Sequence, residues 1–194
     1  MKTARKVLVL ALCAVLLVSA TIMGTMAYLT STDEVTNTFT VGNVTITLDE
    51  AQVNTDGTLV TDATNRTDAN KYHLIPGHSY IKDPTVHVDA NSENCWLFVK
   101  LDNGLKDIIA ATTIEDQMTA KGWSLVPGQT DVYAYQSVVS AGDNISVFDN
   151  FKLTSDAAVS GYTNAQIVVT AYAVQADGFA TSADAWTAAP SSWN

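Results

Sequence analysis

Apolar residues in this chain recur at every second position far more often than at every third or fourth, and that period restricts it to β-structure. Cys95, Leu97, Val99 and Leu101 alternate with Trp96, Phe98, Lys100 and Asp102, and residues two apart share one face of a strand. Similar runs, rich in Val, Ile and Thr and separated by Gly, Asn and Asp, recur along the chain. They predict strands at Thr38 to Leu48, Tyr80 to Asp89, Cys95 to Asp102, Trp123 to Val126, Val132 to Val139, Asn144 to Leu153 and Ala165 to Gln175. The expected fold is all-β, a two-layer antiparallel sandwich of jelly-roll type with one or two short helices in connections. The face of Cys95, Leu97, Val99 and Leu101 carries no charge and is expected to face the core.

The punctuation between these runs completes the map. In the first strand, Gly42-Asn43 marks a bulge or bend between Phe39 and Val41 on one side and Val44, Ile46 and Leu48 on the other. Pro84 falls inside a strand-like run and predicts an edge strand or a bulge there. Pro76-Gly77 and Pro127-Gly128 read as turns. Residues 49–71 form a polar excursion with the turn Asp56-Gly57 and a small hairpin around Thr58 to Val60. One helix is expected at Ile114 to Lys121, capped by Thr112 with Glu115 as its partner and ended by Gly122. A second is expected from Ala183 to Trp186, after Ser182.

The amino-terminal segment has the form of a secretory signal: Lys2, Arg5 and Lys6, an apolar run from Val7 to Val18, then small residues up to Ala27. Cleavage is expected between Ala27 and Tyr28, because Thr25-Met26-Ala27 presents small groups to a signal peptidase; an uncleaved anchor is the alternative. The chain then divides into a signal peptide, 1–27, and a single domain, 28–194. The mature part carries seven basic and twenty acidic residues, a net charge of −13. A surface so acidic repels polyanions and argues against nucleic acid as a partner. Contact with a membrane is expected only through the leader, before cleavage. Cys13 lies in the leader, so Cys95 is alone in the mature chain, without an intramolecular disulfide, and is expected to be a buried, inert thiol.

Motifs for catalysis are missing from the sequence. His73, His78 and His87 are spread across Pro76-Gly77 and Pro84 rather than set one helical turn apart, and they read as exposed loop or edge-strand residues. The chain has no Gly-x-Ser-x-Gly elbow, and His78 and Ser79, being neighbours on an extended chain, point to opposite sides. Asp56, Asp62 and Asp68 lack the spacing of a calcium loop, since Ala63 falls where the closing carboxylate belongs, and they read as solvated turn acids. No catalytic residue, cofactor or metal site is therefore expected.

The stretch from Ala20 to Thr30, with Gly24-Thr25-Met26-Ala27-Tyr28 at its centre, followed by Thr38-Phe39-Thr40-Val41-Gly42-Asn43-Val44, resembles the start of TasA/camelysin-family exported proteins. Pro76-Gly77 leading into Lys82 and the strand to Asp89 resembles that family's second block, and Val168 to Gln175 its last core strand. The resemblance implies processing by a SipW-like signal peptidase and a secreted, cell-surface product. It also implies a jelly-roll sandwich that polymerises into biofilm-matrix fibres with itself or a related subunit, each copy lending an amino-terminal strand to the next. Residues 28–38 are then a donor or a flexible terminus, and Tyr28, Leu29, Val35 and Phe39 are the expected inserting side chains. A monomeric surface adhesion or binding module is the first alternative, and a camelysin-like metallopeptidase the second.

Overall fold

The computed structural model describes residues 43–61, 64–110 and 114–189. Their strands are, in chain order, β1 (Ile46–Ala51), β2 (Arg66–Thr67), β3 (Ser79–Ile81), β4 (Thr85–Val88), β5 (Cys95–Asn103), β6 (Trp123–Leu125), β7 (Val132–Tyr135), β8 (Asn144–Ser146), β9 (Asn150–Lys152) and β10 (Ile167–Gln175). Two short helices, α1 (Ile114–Ala120) and α2 (Ser182–Trp186), lie in connections. All pairings are antiparallel, in the orders β2-β1-β4-β8, β10-β5-β7-β6 and β3-β9. The fold is an all-β sandwich, as the alternation predicts.

Register shows why the sheets pack face to face. Leu48 pairs with Val86 and Ile46 with Val88, which puts four apolar side chains on one face of the first sheet. On the second, Cys95, Leu97, Val99 and Leu101 point the same way and share one buried core with Val86, Val88, Trp123, Phe148 and Phe151. The other face of β5 departs from expectation. Trp96 and Phe98 are also buried, 7% and 0% exposed, in a second core with Val132, Ala134, Val174 and Ala185. The cover comes from α2 and the segment before it: Trp186 packs on Phe98, and the Trp96 indole N–H donates to the Phe179 carbonyl at 3.4 Å. Only Lys100 and Asp102, beyond that cover, keep the polar alternation.

Pro84 produces neither an edge strand nor a bulge. β4 lies between β1 and β8, so it is interior. The run expected at Tyr80 to Asp89 pairs with the run at Asn144 to Leu153 in one unbroken register, Ile81 with Asn150 and Thr85 with Ser146, three residues intervening on each side. Over those three residues the ladder thins to two backbone bonds, Lys82 N to the Asp149 carbonyl at 3.1 Å and Val147 N to the Pro84 carbonyl at 2.8 Å, and a proline without an N–H fits there.

The polar segment is more ordered than a loop excursion. Val53 and Leu59 bridge around the Asp56-Gly57 turn, and β2 pairs Thr67 with Glu50 and Arg66 with Ala51. Gly122 follows α1 with φ +91°, the left-handed stop expected of it, whereas Thr112 lies outside the described residues. The cap of α2 is Thr181 rather than Ser182: its hydroxyl oxygen accepts from Asp184 N while the Asp184 carboxylate accepts from Thr181 N, a reciprocal capping box.

Candidate functional site

Side chains singled out for chemistry do not converge. Among the described residues no group of three or more His, Cys, Asp or Glu is placed to hold a metal ion, and no helix is long and apolar enough to cross a membrane. His78 Nε2 lies 2.8 Å from the Asp56 carbonyl and its ring packs edge-on against Tyr80, while Ser79 is exposed on β3. Asp56 is a turn acid whose Oδ1 accepts from the Thr58 N–H and hydroxyl; Asp62 lies outside the described residues. Cys95 is fully buried, and burial pushes its thiol up to about 11. Ala27, Tyr28, Leu29, Val35 and Phe39 all lie outside the described residues.

His87 corrects the expectation of a loop or edge residue. It stands on the interior strand β4, with Nε2 2.8 Å from Asp49 Oδ1 and Nδ1 against Asn144 Oδ1. Asp49 belongs to a larger constellation in which Arg66 ties β2 to the sheet. Arg66 Nε donates to Asp49 Oδ1 at 2.7 Å and Nη1 to Asp83 Oδ2 at 2.8 Å, and Nη2 reaches the carbonyls of Asp49 and Asp83 at 3.0 and 3.2 Å. Burial acts to raise the Asp49 carboxyl, but hydrogen bonds from His87 and Arg66 outweigh it and hold the group below its ordinary range. Beside it, Glu50 is only 4% exposed. It accepts from Lys82 Nζ and from the backbone and side-chain nitrogens of Asn70, so this inward-facing carboxylate is paired and hydrogen-bonded.

Sequence reasoning passed over this constellation because it spans four separate segments, around Asp49, Arg66, Asp83 and Asn144. One signal was available: Arg66 is the only arginine after the leader, and it lies in an acid-rich stretch, where a forked guanidinium suits two carboxylates at once.

Among the described residues, one side of the sandwich carries no further strand. The strand ladder among the described residues pairs β10 with β5 alone. β1 pairs with β4 on one side, but among the described residues β2 pairs with its second edge only at Glu50 and Ala51, leaving Ile46 to Asp49 without a strand partner there. Beside these edges lies a cavity of about 900 Å³ with a mixed lining, apolar at Leu48, Tyr72, Phe151 and Ile167 and polar at residues such as Glu50 and Lys82. Side chains that should be core remain half-buried along this side: Val44, Ile46 and Leu48 from β1 and its approach, Ile167, Val169, Ala171 and Ala173 from β10.

No family model matches the chain, and no curated protein or solved structure matches it.

Proposed function

We propose that this protein is a secreted cell-surface subunit that assembles into extracellular matrix fibres. In this reading residues 28–38 of one copy, with Phe39 following, enter beside β1 of the next and complete a sandwich of jelly-roll type. The observation that carries the proposal is the edge of β1 that has no strand partner from Ile46 to Asp49 among the described residues, beside a cavity of about 900 Å³ lined by both apolar and polar side chains. A strand added there satisfies backbone groups otherwise left to water, and its alternate side chains cover the half-buried residues of both sheets. On an extended chain Leu29, Val35 and Phe39 share the face that would insert, with Tyr28 beside them at the mature terminus. The resemblance of the leader to TasA/camelysin exported proteins supports the same reading, with a SipW-like peptidase releasing Tyr28 as the mature terminus.

The test is electron microscopy of the chain 28–194 beside one beginning at Thr40, each at several concentrations. Filaments from the first and none from the second are expected. Monomers from both overturn homopolymerisation and leave a monomeric adhesion module as the reading to pursue.

A further inference from the structure

An added strand needs a register as well as an edge. Sliding by one residue turns its apolar side chains away from the core and is strongly penalised, but sliding by two keeps every side chain on its proper face. The open side offers little against a two-residue slip. The inward residues of β10 end in Ala171 and Ala173, two equal and small side chains, and the inward residues of β1 are two similar aliphatics, Ile46 and Leu48.

A physical obstacle is present at one end. The edge of β1 that has no strand partner from Ile46 to Asp49 among the described residues is taken at the very next residue, where Thr67 pairs with Glu50. β2 is only two residues long and would fray if backbone pairing alone held it. It is held by Arg66 through the four hydrogen bonds to Asp49 and Asp83 described above. Asn70, three residues past β2, is fixed in turn by Glu50 and donates to the Ala51 carbonyl at 2.8 Å. The chain that would block an entering strand is therefore pinned on both sides of the point of collision.

We propose that β2, locked by Arg66, is the stop that fixes the register of the strand entering along Ile46 to Asp49, with Arg66 as its positioning residue. The inference rests on the strand-donation reading and adds to it a determinant of where the donor comes to rest. An entering strand runs along four residues of β1 until its end meets Thr67. Without the lock, β2 yields and the donor settles in registers two residues apart, about 7 Å along the strand.

The experiment measures distances within assembled fibres of the mature chain, 28–194. One population carries a nitroxide at Thr32→Cys, the other a gadolinium chelate at Thr47→Cys, an exposed position on the free half of β1. Only donor-to-acceptor pairs then contribute to the nitroxide-gadolinium signal. A single distance is expected with Arg66 present. In an Arg66→Ala background a second population displaced by about 7 Å is expected, with fibres still forming. Asp83→Asn, which retains the Asp49 half of the lock, is the second background and should show a smaller second population, so the test survives if Arg66→Ala does not fold. The same single distance in both backgrounds overturns the register stop while leaving strand donation standing. No short distance in the parent fibre overturns strand donation itself, and the register stop with it.

Discussion

Trp186 lies on Phe98 with ring centroids 5.2 Å apart and planes tilted by 48°, so a five-residue helix near the end of the chain roofs the outer face of the longest central strand. Phe98 is fully buried between this roof and the sheet, whereas Trp186 keeps partial exposure. Phe98→Ala should cost about 3–5 kcal/mol, the range for truncating a buried aromatic. Trp186→Ala should cost less, because part of its surface already meets water. A double-mutant cycle by urea denaturation should give a coupling of about 0.5–1.5 kcal/mol for the ring pair. Coupling of zero would mean that the helix covers Phe98 without energetic contact.

Gly57 makes the polar hairpin possible by the room it leaves. Its φ is +81°, and a Cβ placed on it would stand 2.6 Å from Tyr80 Cδ1 and 2.8 Å from Tyr80 Cα. Tyr80 cannot move aside, being stacked on Phe151 at 4.9 Å and donating its hydroxyl to the His73 carbonyl at 2.8 Å. Gly57→Ala therefore combines left-handed strain with a collision, and a loss of about 3 kcal/mol is expected. Gly128→Ala is the matched control. Its φ is +85° with nothing within 4 Å of the added carbon, so only the conformational part, about 1 kcal/mol, should be lost. Equal losses at the two sites in chemical denaturation would show that the contact with Tyr80 costs nothing.

How much of this was legible in sequence depends on the length scale of the forces involved. Alternation placed most of the strands, because each residue's face is a local property of an extended chain, but the strand expected at Thr38 to Leu48 is not formed at Asn43 to Thr45 and runs instead from Ile46 to Ala51, three residues into the expected polar excursion. Cys95, Leu97, Val99 and Leu101 were assigned correctly to the core. Trp96 and Phe98 carried a signal that alternation alone could not use: two large aromatics interleaved with core residues indicate a strand buried on both faces, but what covers them lies some eighty residues away in α2. Pro84 misled for a related reason. A missing N–H predicts a defect in the ladder, and the ladder does thin there, but whether a neighbouring strand lies beyond the defect is settled by β1, far off in the chain. The open side was hidden in the same way, since an edge is defined by what fails to pair with it.

Cys95 ties burial to a measurable pH dependence. The thiol is fully buried on the core face of β5, and burial raises it from 9.0 to about 11. Below pH 9 both folded and unfolded chains hold the proton, and the group has no effect on the pH dependence of stability. Between 9 and 11 the unfolded chain ionises while the folded one does not, so the unfolded state gains and stability falls as pH rises. Tyr72, Tyr80 and Tyr133 are also raised by burial above their ordinary 10.0 and add their own loss at higher pH, so the cysteine is read most cleanly between pH 9 and 10. Over that interval the stability of the parent should decline more steeply than that of Cys95→Ala, measured by urea denaturation at each pH. At pH 7 the native thiol should resist a disulfide reagent and react only as the chain unfolds, because neither access nor thiolate is available. Parallel stability curves, or rapid labelling of the native protein at pH 7, would mean that the core around β5 admits water on the time scale of the experiment.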